Sequence, residues 1–166
     1  MTAKSSEHTQ YVQSLTEQVN TVQQEARMVL PGIQALFGFQ LIAVFNQGFK
    51  MNLNEGEQTV HLIALLLVLI SAILTIAPAA YHRQAKHQIS KHFLRLSSRF
   101  LAWAMVPLAV GSCLDIYLVA RIILNSVAGG GAVALFVFLI FLWTWFILPR
   151  LHGRNVAKLP ALEVKE

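Results

Sequence analysis

Four stretches of the chain run without lysine, arginine or glutamate, at positions 28–49, 58–82, 100–120 and 122–149, and Asp115 is the single carboxylate among them. Each is long enough to cross about 30 Å of hydrocarbon, which takes roughly 20 helical residues at ~1.5 Å each. The pattern predicts an all-α integral membrane four-helix bundle. It divides the chain into a cytoplasmic N-terminal segment (1–27), a four-span transmembrane domain (28–149) and a basic cytoplasmic tail (150–166).

Outside the spans two segments keep a helical pattern. Val12, Leu15, Val19, Val22 and Ala26 recur at alternating spacings of three and four, a heptad seam. Such a helix either pairs with a copy or a neighbouring subunit, or folds back on its own membrane face. Residues 1–8 are expected to lack regular structure. Between spans two and three, Ile89, Phe93, Leu96 and Phe100 fall on one helical face, and Arg83, His87, Lys91, Arg95 and Arg99 step by four along the other. That predicts a basic inner face, either lying against anionic headgroups or simply extending the neighbouring spans.

Composition adds that this is no ordinary soluble domain. Of 166 residues, 55% are hydrophobic and 13% charged, with a mean hydropathy of +0.56. No basic segment followed by a cleavage site precedes the first apolar run, so the first span is expected to act as its own insertion signal. Cys113 is a lone thiol inside the third span, a small apolar filler with no disulfide partner.

Charge sets the orientation. If the chain crosses four times, eleven of its Lys and Arg residues fall on the side of the two termini, and only Lys50 and Arg121 fall on the other. Short basic loops stay in the cytoplasm, so both termini are expected on that side of an inner (plasma) membrane. Tyr81, Trp103, Trp143 and Trp145 cluster near the same interface, as aromatic belts do. The net charge of +5 is then a topology signal, with no nucleic-acid reading motif beside it.

Candidate chemistry lies where polar residues interrupt apolar runs. The first span holds Gln34, Gln40, Asn46 and Gln47, together with Pro31, Gly32 and Gly38. Amides in hydrocarbon seek partners and small residues admit close helix approach, so these positions predict either helix packing or the lining of a hydrated path. Gln40 and Gln47 share a face, and Gln34 lies on another. Asp115 sits deep in the third span and is expected to face protein or a wet cavity, either as a carboxylate that takes up a proton or cation or as one hydrogen-bonded to an amide of the first span. Gly111, one turn earlier, leaves room for a neighbouring backbone. Asn125 or Ser126 caps the fourth helix, and Gly129, Gly130 and Gly131 serve helix packing, since the lysine and Ser/Thr of a phosphate-binding loop do not follow them. The histidines His82, His87 and His92 are five apart and do not converge on a metal, and His61 reads as a solvated residue at the span entrance. No catalytic motif occurs; no enzyme activity, metal or cofactor is expected.

The stretch EARMVLPGIQALFGFQLIAVFNQGF, residues 25–49, and APAAYHR, residues 77–83, resemble the two signatures of a family of small bacterial four-span membrane proteins of unassigned function. The resemblance covers roughly residues 20 to 148. It rests on Arg27, Pro31, Gly32, Gln34, Gly38, Phe39 and Phe45 in the first stretch. Some members carry a sodium/proton antiporter label, which the resemblance passes on. Four spans without an internal repeat are few for an antiporter, because such sites often lie between repeats of broken helices; antiport then implies a homo-oligomer. Two functional classes stay open: permeation of protons or small cations through an oligomer, and a non-transporting scaffold or accessory subunit that holds a partner or anionic lipid.

Overall fold

A computed structural model of the chain describes residues 2–84 and 91–150. His87 and the tail 151–166 lie outside them, as do the side chains of Val12, Leu15, His82, Lys91 and His92. The described residues are helical throughout apart from short turns, with no strand: α1 Thr2–Phe45, α2 Gln47–Asn52, α3 Glu55–Gln84, α4 Lys91–Leu124 and α5 Val127–Leu142, the last running into a π-helical turn at Trp143–Ile147. Four helical stretches are long and apolar enough to cross a membrane: Glu17–Phe45, Glu55–Tyr81, Phe93–Leu124 and Val127–Arg150.

Helix α1 begins at Thr2, in place of the unstructured start expected for residues 1–8, and runs unbroken through residue 27 into the first span. The heptad seam explains the continuity. Val19 is buried, Ala26 half-buried, and Ile33 and Gln40 buried again, so one stripe at steps of seven carries from the polar segment into the span. Pro31, Pro78 and Pro107 lie inside α1, α3 and α4, positions that membrane helices tolerate because neighbouring groups satisfy the freed carbonyls.

The chain divides into two compact units, residues 1–115 and 116–166. In the first, α3 is the central element. Its buried positions are Glu57, His61, Ala64, Val68, Ser71, Thr75 and Pro78, alternating by four and three, the strict seam of a helix packed against neighbours. Helices α1 and α3 run in opposite directions, since Gln40 meets His61 while Arg27 and Leu30 share a cleft with Thr75 and Arg83. Helix α4 also runs against α3: the Ser71 hydroxyl donates to the Ala104 carbonyl at 2.8 Å, and Tyr81 stacks on Phe93 with ring centroids 5.8 Å apart. Gly111 permits this approach, because a Cβ there would lie 2.9 Å from the Ala64 carbonyl oxygen.

The distribution of side chains is the reverse of a soluble core. Fully buried positions are small or polar, such as Ala64, Val68 and Ser71, whereas Phe45 is 86% exposed, Met28 73% and Phe39 71%. Helices in lipid gain nothing by hiding leucine from acyl chains and associate through close packing and hydrogen bonds, so small residues turn inward and large ones outward.

The second unit contains the end of α4 from Ile116, helix α5 and the π-helical turn. Asn125 takes a left-handed conformation (φ 47°), which asparagine tolerates at a helix C-terminus. Ser126 then caps α5, its hydroxyl accepting from the Gly129 N–H at 3.1 Å. Gly130 is the closest crossing of this hairpin: a Cβ there would fall 2.8 Å from Arg121 Cβ and 3.0 Å from the Tyr117 carbonyl oxygen. Gly129 stands against Leu124, and Gly131 meets nothing within 4 Å.

Of the expected basic inner face, His87 and the side chain of Lys91 lie outside the described residues. Arg83 closes α3, whereas Arg95 and Arg99 are exposed on α4, which has already turned back along α3. The segment from Lys91 onward is a helical extension of the third span, with Phe93 buried and Leu96 and Phe100 half-buried.

Candidate functional site

Three helices of the first unit bring one polar residue each to a common point. Gln40 lies on the buried seam of α1, His61 on that of α3 and Asp115 on α4 one turn after Gly111. The Gln40 side-chain amide donates from Nε2 to Asp115 Oδ2. His61 Nδ1 lies 3.1 Å from Asp115 Oδ1, and His61 Nε2 lies 3.0 Å from the Gln40 backbone carbonyl oxygen. Both His61 and Asp115 are largely shielded, with side chains 8% and 17% exposed.

Hydrogen-bond accounting fixes what this arrangement holds. A backbone carbonyl only accepts, so the Nε2 facing Gln40 carries a hydrogen. Asp115 Oδ2 already accepts from Gln40. One further proton therefore sits between Nδ1 and Oδ1, either on the ring as an imidazolium beside a carboxylate or on the carboxyl beside a neutral ring. Either way the pair is neutral overall, which is what burial at membrane depth demands of two ionisable groups. Gln40 Oε1 is buried next to the pair and has no hydrogen-bond partner among the described residues. It belongs to the same amide that donates to Asp115 Oδ2.

The surroundings hold His61 in place. Phe49 of α2 meets the imidazole edge to face, with ring centroids 5.1 Å apart and planes at 66°. One turn before His61, Glu57 and Asn54 form a reciprocal cap: the Asn54 N–H donates to Glu57 Oε2 and the Glu57 N–H to Asn54 Oδ1, both at 2.9 Å. Gln58 Nε2 donates to the Leu53 carbonyl at 2.9 Å, tying α2 to the start of α3.

His61 corrects the expectation from sequence, which left it a solvated residue. Helix α3 starts at Glu55, before the apolar run, and His61 is buried on its seam, bonded to Asp115 and the Gln40 carbonyl. Asn46 and Gln47 are also corrected. Helix α1 ends at Phe45, Asn46 caps α2 by accepting from the Gly48 N–H at 2.9 Å, and Gln47 is exposed on that short helix. The face expected to carry Gln40 and Gln47 together is broken there. Gln34 and Pro31 are exposed, and Gly32 and Gly38 meet nothing within 4 Å, so within one chain they pack against no neighbour. Cys113 is buried as a free thiol. No cluster of three metal-ligating side chains occurs among the described residues.

The model of a family of unknown function, DUF6328, matches residues 8–149. No curated protein and no solved structure matches the chain.

Proposed function

This chain belongs to the family of unknown function DUF6328, and from that premise we propose that it is a multi-span protein of the bacterial inner membrane, both termini cytoplasmic, that permeates protons or small cations as a homo-oligomer. The proton-binding group is the His61–Asp115 pair, with Gln40 as the residue that positions the carboxylate. The observation that carries this reading is the bridging imidazole: a buried histidine held between a carboxylate and a backbone carbonyl keeps one proton that can move between two atoms. Ionisable groups at membrane depth commonly mark proton or ion pathways, and a shared proton on a carboxylate whose amide partner keeps an unpartnered buried oxygen is a place where a proton can be taken up and released. No catalytic step is part of the proposal.

The homo-oligomer rests on α1. Its Pro31, Gly32 and Gln34 are exposed within one chain and Gly38 is half-buried with open space around it, although an amide and glycines are poor material against lipid and good material against another helix. The test is flux. Full-length protein in liposomes loaded with a pH-sensitive dye is expected to dissipate an imposed pH gradient, and Asp115→Asn to abolish this; no flux under proton, sodium or potassium gradients overturns the reading.

One feature favours the scaffold reading instead. Helix α1 continues well beyond the apolar run, back to Thr2, and such a projecting helix suits a subunit that recruits a partner. Removing residues 1–26 then strips co-purifying partners and leaves insertion intact; an unchanged partner set counts against it.

A further inference from the structure

At the end of α1 and α3 remote from His61 lies a cleft of about 270 Å³. Arg27 and Gln23 reach it from α1 and Arg83 from α3, while Leu30, Ile76 and Pro78 supply an apolar wall. We infer that this cleft seats the phosphate headgroup of an anionic phospholipid, with one acyl chain along the apolar wall.

Three observations converge. The two guanidiniums come from different helices, both are exposed, and neither has a carboxylate partner among the described residues. No carboxylate lines the cleft. A guanidinium presents a planar fork of donors that matches phosphate oxygens, so two of them facing one cavity are an anion site with geometry as well as charge. Depth is the second observation. Arg27 immediately precedes the apolar run that starts at Met28, and Arg83 follows the span that ends at Tyr81, which places both cations at headgroup level. The third is the wall itself. A free inorganic anion has no use for Leu30, Ile76 and Pro78, whereas a phospholipid brings both a phosphate and a chain. Basic pockets between transmembrane helices recognise headgroups in this way.

The inference rests on membrane residence and not on the proton reading, so Asp115→Asn should leave lipid binding unchanged. The experiment uses the delipidated full chain in a neutral detergent, offered phosphatidylglycerol, phosphatidylcholine or inorganic phosphate, with retained lipid counted by native mass spectrometry and melting followed in parallel. The expected result is one phosphatidylglycerol per chain, preferred roughly tenfold or more over phosphatidylcholine, since two guanidiniums face the headgroup. Arg27→Gln with Arg83→Gln should remove that preference. Ala79→Leu, which keeps both arginines but fills the cleft, should remove it as well. Arg95→Gln with Arg99→Gln, at exposed positions on α4 away from the cleft, should keep it. Retention by the Arg27/Arg83 variant overturns the proposal, as does an equal loss in the Arg95/Arg99 variant. Stabilisation by inorganic phosphate matching that by phosphatidylglycerol also overturns it, because the site is then one for a free anion.

Discussion

His61 on α3 and Asp115 on α4 face each other at 3.1 Å, and with Gln40 occupying the second carboxylate oxygen they have one proton to share. The replacement Asp115→Asn separates the fold from that proton. An asparagine amide can donate to His61 Nδ1 while its oxygen accepts from Gln40 Nε2, and the histidine still donates to the Gln40 carbonyl. Every hydrogen bond survives and the exchangeable proton is gone. The expected outcome is a melting temperature in detergent close to wild type with flux lost.

Asp115→Ala behaves differently. It leaves His61 Nδ1 and Gln40 Nε2 without their partner, and a buried polar group stripped of its partner costs about 1–3 kcal/mol. Combined with His61→Ala, the two losses should fall short of additive by about 0.5 kcal/mol or more, as expected for residues in one network. A double-mutant cycle in denaturant or heat measures the coupling; strict additivity means the pair does not interact.

The cap that opens α3 supports the site from outside. Asn54→Ala removes one half of the reciprocal hydrogen bonds with Glu57 and should cost about 1 kcal/mol, within the range for lost N-caps. Because His61 lies one turn beyond Glu57, flux should fall along with the melting temperature, and Asn54→Ser should recover most of both.

Glycines separate into those that meet a backbone and those that do not. Gly111→Ala and Gly130→Ala push a methyl into a carbonyl oxygen at 2.9 Å and 3.0 Å respectively, neither of which can move without its helix. Both should lower the yield of folded, detergent-soluble protein, with overpacking costs of about 1–3 kcal/mol. Gly131→Ala has open space and should be silent. Gly38→Leu also has open space within one chain, so a change in oligomer mass by light scattering, with melting unaltered, is the outcome expected if α1 pairs the copies.

Much of this was legible in residues alone. Asp115 and Gln40 stood out because hydrocarbon penalises unpartnered polar groups, and an amide of the first span was a natural partner for the carboxylate. His61 was missed because histidine near the edge of an apolar run looks like an interface residue. A usable signal was present: it falls on the same four-three stripe as Ala64, Ser71 and Thr75, the small and polar positions among leucines and isoleucines. Asn46 carried a signal too, since asparagine is among the most favoured helix N-caps. For Gly32 and Gly38 no such reading exists. A glycine permits close approach but does not say which helix arrives, and that depends on rotations set by the rest of the seam.

Between His61 and the far cleft the α3 seam holds Ala64 and Val68, both completely enclosed, before Ser71 restores a hydroxyl. At ~1.5 Å per residue the step from His61 to Ser71 is a barrier of roughly 15 Å to a hopping charge. Within one chain, a proton held at His61 and Asp115 meets no hydroxyl or titratable side chain along the buried α3 seam until Ser71. For the proposed permeation, passing that stretch demands either a sliding of α3 that exposes the pair alternately, or a route along a face shared with a second copy.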